Sequence, residues 1–173
     1  MIDADRLYLG IDPGLGGGMA VLTAGGYPRL VAKIPATEQD ILTILRDVAT
    51  LPIVAGVADP ISEIGASSSP GGHVRAILEK VASSPQMGVV SAFTFGKGYG
   101  GLRMALAACQ IPFDEVAPGV WQRAMQCLTK GDKNVSKRRA QELFPSVKVT
   151  HAVADALLLA EFGRRRALAE FRI

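Results

Sequence analysis

Apolar residues come first in short runs and later at helical spacing, a change of rhythm that predicts strands leading into helices. "LYLGI" at 7–11, "GMAVLTA" at 18–24 and "RLVAKI" at 29–34 are short runs separated by glycine-bearing turns, which predicts a meander of three antiparallel strands. Thr37, with Asp40 three residues on, predicts an N-cap, and Ile41, Leu42, Ile44, Leu45 and Val48 then keep helical spacing. "HVRAILEKV" at 73–81 reads as a strand by its Val, Ile and Leu content, although a short helix fits the same residues. "SAFTFGKGYGGLRMALAACQI" predicts a glycine-rich helix, and "FDEVA" a further strand. Pro118 opens a helix over "PGVWQRAMQCL", Asp132 or Asn134 caps one over "VSKRRAQELF", and another runs from about Ala152 through "ADALLLAEFGRRRALAEF". Residues 50–72 are the least legible stretch: "LPIVAGV" fits a strand, while "DPISEIGASSSPGG" is rich in turn residues. No internal repeat is present, so the expectation is one α/β domain over 1–173, with a mixed sheet and helices on its faces.

Composition narrows the class without changing that picture. A hydrophobic content of 49% excludes a disordered chain, and no apolar run approaches the roughly 20 residues that span a bilayer. The opening "MIDADRLYLG" carries acids where a secretory leader carries Lys or Arg, so a cytoplasmic chain without a membrane partner is expected. Cys109 and Cys127 have no nearby second pair or histidine at zinc spacing and are expected to be reduced thiols. The net charge of +3 hides a division: residues 1–95 hold 6 Lys and Arg against 9 Asp and Glu, whereas residues 96–173 hold 13 against 7. A basic half beside an acidic one suits a polyanion next to a carboxylate-lined site, although solvated helix faces produce the same split.

Three acids interrupt or end apolar elements. Asp12 follows the first strand, with Pro13 and Gly14 turning the chain and glycines at 14, 16, 17 and 18 around it. A carboxylate capping its own turn accounts for this, and so does a metal ligand with open space beside it. A phosphate loop does not: no Gly-Lys-Ser/Thr follows, and the glycines precede a strand where a dinucleotide loop precedes a helix. Asp155, within "AVADALLLA", stands four residues after His151 on one helix face; a helix-start acid beside a capping histidine is the plain alternative. Glu79 lies in "AILEKV", where the plain reading is the exposed phase of a strand. Hard divalent cations need carboxylates from separate segments, and Asp12, Glu79 and Asp155, if they converge, suit two ions engaged in phosphodiester hydrolysis. His151 is either a further ligand or a proton-transfer group. Basic residues with nearby aromatics follow: Lys97, Tyr99, Arg103, Arg123, Lys130, Lys133 and Lys137, suited to phosphate contacts and base stacking, while Trp121 and Phe144 read as core.

Four ordered blocks, "YLGIDPG", "ILEKV…PQMGVVSAFTFGKGYG", "VWQRAM…GDK…RAQELFP" and "HAVADALLLAEFGRR", together resemble the RuvC-type Holliday-junction resolvases, most closely their bacteriophage-encoded relatives. The resemblance implies a ribonuclease-H-like mixed five-stranded sheet with helices on both faces, a homodimer, and paired nicking of four-way and other branched DNA. It implies Mg²⁺, with Mn²⁺ substituting, two ions per site, and no nucleotide cofactor. It maps the catalytic, metal-binding acids onto Asp12, Glu79 and Asp155, with His151 in the phage-type "H-x-x-A-D-A-L" block, and it prefers Glu79 over Asp59 or Glu63. The "FGKGYGG" helix resembles the family's dimer helix. The chain departs from bacterial members at Ala152, where they carry a further aspartate, which leaves His151 to fill the gap. At Ala82 they carry an aromatic wedge, which leaves Phe93 or Phe95 to open the junction. Arg123, in place of Gln122, and Lys133 of "GDK" are the candidate phosphate contacts of their block. Two rivals stand beside this reading: a junction-binding module without catalysis, and an actin-like or sugar-kinase-like ATP-binding protein, which resembles the first block but needs two similar domains.

Overall fold

The computed structural model describes residues 6–14, 16–51, 71–82, 86–128, 132 and 134–170. A five-stranded sheet forms its centre. Strands β1 (Leu7–Ile11), β2 (Gly18–Thr23) and β3 (Pro28–Lys33) pair antiparallel as the expected meander. On the other edge of β1, β4 (Val74–Glu79) and β5 (Phe113–Val116) pair parallel, which gives the order β3-β2-β1-β4-β5. The doubt between strand and helix at 73–81 thus resolves as a strand, because residues 74–78 complete the ladder of β1 register by register. The possible strand at 51–57 and the turn-rich run after it fall almost wholly outside the described residues.

Side chains alternate across the pleat, so each strand feeds two cores. Leu7, Leu9, Ile11, Met19, Val21, Ala76 and Leu78 point to one face, where α1 (Glu38–Ala49) and α2 (Val89–Ala108) cover them. Ala20, Leu22 and Ile77 point to the other, beneath α3 (Pro118–Ala124), α4 (Asn134–Leu143) and α5 (His151–Glu170). Leu157, Leu158 and Leu159 of α5 are wholly buried, each contributing about 2 kcal/mol by area removed from water. Helix α1 starts as predicted, with the Thr37 hydroxyl accepting the Asp40 N–H at 3.1 Å. Helix α3 is shorter than "PGVWQRAMQCL" suggests: Gln126 adopts a left-handed φ of 59°, and the Cys127 N–H turns back to the Gln122 carbonyl. Trp121 and Phe144 are core residues, as expected.

Two glycines let α5 lie directly on the sheet. A methyl group at Gly10 would collide with the Ala156 carbonyl and the Ala160 nitrogen, and one at Gly18 would meet the Ala152 carbonyl at 2.5 Å. The close approach sets the depth at which Asp155 sits above the ends of β1 and β4.

Candidate active site

The parallel pairing of β1 with β4 aligns Ile11 with Leu78, so Asp12 and Glu79 leave the ladder side by side at the carboxyl ends of adjacent strands. Alternation places both on the α5 face, the face that Gly10 and Ile77 share. Asp155 comes down on the same end from α5. Asp12, Glu79 and Asp155 are all half-buried, so little water is left to screen their mutual repulsion.

Glu79 registers the crowding. Its carboxyl is pushed up from 4.5 to about 7, first by burial, then by the negative charge of Asp12, with Asp155 adding in the same direction. A hydrogen bond opposes the shift: the Trp121 indole N–H donates to Glu79 Oε2 at 2.8 Å. The strand's exposed phase is therefore not where Glu79 stands.

Asp12 makes the turn that its sequence allowed. The Gly14 N–H donates to its Oδ1 at 3.3 Å, a carboxylate-braced turn, while the Gly17 N–H closes onto the Gly14 carbonyl at 2.8 Å. The glycines divide in purpose. Gly16 has open space where a side chain would be, and Gly14 faces the Asp12 carboxylate at an ordinary contact distance. Gly17 and Gly18 are pressed against backbone, so they serve the turn and the seating of α5 rather than an opening.

His151 is the first residue of α5 and is exposed, one turn before Asp155. It is not the cap; the Thr150 carbonyl accepts the N–H groups of Val153 and Ala154. Among the described residues, no group of three or more His, Cys, Asp and Glu has the spacing to hold a metal ion as placed. The donors nonetheless suit a hard cation in kind: all three are carboxylates from separate elements, and their repulsion at Glu79 is the cost that a cation removes.

The basic and aromatic candidates fare differently. Lys97 is exposed on α2 and reaches Glu38 at 3.8 Å. Arg103 pairs with Glu115 at 3.0 Å, and the Tyr99 hydroxyl donates to the same carboxylate at 2.7 Å. Burial and Glu115 together push the Tyr99 hydroxyl up to about 12. Arg123 on α3 and Lys137 on α4 make no ion pair among the described residues, and Lys130 and Lys133 lie outside them. Phe93 stands 75% exposed on α2. Phe95 is half-buried and lines a cavity of about 330 Å³ with Pro13 and Gly14, across the sheet end from the carboxylates.

Trp121 is the site residue that sequence reasoning missed, since an indole in an apolar helix reads as core. One signal was present: Ile77 and Glu79 share a strand face, so Glu79 must look toward whatever covers Ile77, which is the layer Trp121 belongs to.

Neither family models nor curated proteins give a match to this sequence. Solved structures do. The chain is similar to Thermus thermophilus RuvC, at 15% identity and a TM-score of 0.61, over 95% of this chain and 97% of that one. It is similar also to T. thermophilus RuvC in complex with a Holliday junction substrate, at 15% identity and a TM-score of 0.57, over 96% of each chain. At that identity the likeness establishes the fold: a RuvC-like, ribonuclease-H-like mixed sheet with helices on both faces.

Proposed function

We propose that this chain is a divalent-metal-dependent endonuclease that resolves four-way DNA junctions by paired nicks. The observation that carries the reading is the meeting of Asp12, Glu79 and Asp155 at one sheet end, with Glu79 under the electrostatic pressure of the other two. The likeness over nearly the whole chain to a protein solved on a Holliday junction substrate supports DNA as the polyanion.

Asp12, Glu79 and Asp155 would hold Mg²⁺ or Mn²⁺, with His151 a turn away as an outer donor. When bound, such ions supply a more acidic water and a stabilised leaving oxygen. The chain's own residues do the rest. The Gly14–Asp12 hydrogen bond orients one carboxylate, Trp121 orients another, and the open space at Gly16 admits a phosphodiester. Lys97, Arg123, Lys130, Lys133 and Lys137 would contact phosphates, and the exposed Phe93 suits a junction wedge better than the half-buried Phe95. Tyr99 and Arg103, both engaged with Glu115, would meet DNA only by leaving that carboxylate. Paired nicks need two sites, and helix α2 offers the surface for a second copy: Val89, Val90 and Met104 are exposed, and Gly96, Gly98 and Gly100 have nothing packed on them. The "H-x-x-A-D-A-L" block favours the bacteriophage-type subgroup.

The test compares a four-way junction with linear duplex of the same sequence in Mg²⁺. Faster nicking of the junction is expected, and Asp12→Asn should abolish nicking while junction binding persists. Equal cleavage of both substrates overturns structure selectivity, and undiminished nicking by the variant overturns the site.

A further inference from the structure

Trp121 is buried without exposure, yet its one polar atom is spent outside the core. The indole N–H crosses from α3 to β4 and donates to Glu79 Oε2 at 2.8 Å, within the range of a well-formed bond to a carboxylate. Phe would pack but not donate, and a Lys or Arg donor would carry charge into a layer of Val116, Met125 and Phe144. The donor is also held still, because Pro118 opens α3, the Met125 N–H closes it onto the Trp121 carbonyl at 2.8 Å, and Arg139 holds the Met125 carbonyl at 3.0 Å. An indole nitrogen has a single hydrogen, so it fixes one carboxylate oxygen and leaves Oε1 as the oxygen that can turn toward a cation.

We infer that Trp121 is a positioning residue for the candidate metal site: its indole N–H locks the Glu79 carboxylate in the orientation that binds the cation. The inference rests on the proposed nuclease reading for the use of the site, but not for the binding it predicts. Outer hydrogen bonds of this kind commonly set cation affinity by 10- to 100-fold.

Trp121 is the only tryptophan in the chain, which makes the test clean. Growth of a tryptophan auxotroph on β-(3-benzothienyl)alanine replaces that one indole by a ring of nearly the same shape with sulfur in place of N–H. Affinity for Mn²⁺, measured by electron paramagnetic resonance of the free ion, is expected to fall about 10-fold or more relative to the natural chain. Thermal unfolding without metal should change little. Trp121→Phe should show the same weakening of Mn²⁺ binding at a larger cost in stability. In the unsubstituted chain, the emission of Trp121 should change on adding Mg²⁺, and Glu79→Gln should remove that response. Mn²⁺ affinity within twofold of the natural chain in the benzothienyl protein overturns the inference, whatever the nicking assay gives. A chain that never nicks junctions, but loses Mn²⁺ affinity as described, overturns the nuclease reading and leaves the inference standing.

Discussion

The two faces of the sheet are finished to different degrees. On the α5 face, helix and strand backbones touch through Gly10 and Gly18, and Gly163 brings Ile77 to 2.7 Å of where its side chain would begin. Glu161, 4% exposed, is held by Arg164 and Arg165 at 2.7 and 2.6 Å. On the other face, the first half of α2 has no such cover. Phe93 is exposed there, and three glycines stand in open space. Glycine therefore means opposite things on the two sides. In β1 it is required by a neighbour already present, and in α2 it lowers helix propensity for no neighbour within the described chain. The chain has invested its precise packing where the carboxylates are held, and has left unpacked the surface proposed for a second copy.

The largest test of that contrast is Gly10→Ala. With backbone on the far side of the contact, neither partner has a flexible end to move away, and a loss of about 3 kcal/mol in denaturant unfolding is expected. A neutral result would show that α5 rides higher on the sheet than described.

A comparable effect should follow from pH, and its sign is set by Glu79. Its folded pKa, about 7, lies above the ordinary 4.5, so the folded chain binds the extra proton between those values. Without metal, stability should therefore fall as pH rises from about 4.5 to 7, and Glu79→Gln should flatten that slope in thermal melts. An unchanged slope in the variant would move the titrating group elsewhere.

The smallest is Gly98→Ala on α2, where a methyl meets nothing within 4 Å. Dilute protein should gain about 1 kcal/mol from helix propensity. At high concentration, sedimentation should show weaker self-association, because the added methyl holds a second helix away. Gain without any change in association would remove these glycines from the proposed dimer surface.

Much of this was readable in the chain. The meander, the Thr37 cap and the acids at element ends each carry a local signal, of period, cap chemistry or charge in an apolar run, and each is where that signal put it. Parallel pairing is not local, so 73–81 stayed between strand and helix until β1 was seen beside it. The charge division misled in part. Arg103, Arg139, Arg164, Arg165 and Arg166 all count toward the basic half, yet each pairs with a carboxylate of the same fold. A sum over sequence does not distinguish a cation aimed at a partner from one already engaged. Trp121 was hidden for a related reason: hydrophobic spacing reports where a ring is buried and says nothing of where its nitrogen points.

Arg164 also reaches the Ala24 carbonyl at 3.1 Å, tying helix α5 to the turn after β2 across 140 residues of sequence. During synthesis β1, β2 and β4 are made long before the helix that covers them, so Ala20, Leu22 and Ile77 remain a bare apolar face until α5 has emerged. Completion of the fold thereby waits for α5, and a nascent chain halted before that helix would present a sticky sheet whose carboxylate site lacks Asp155.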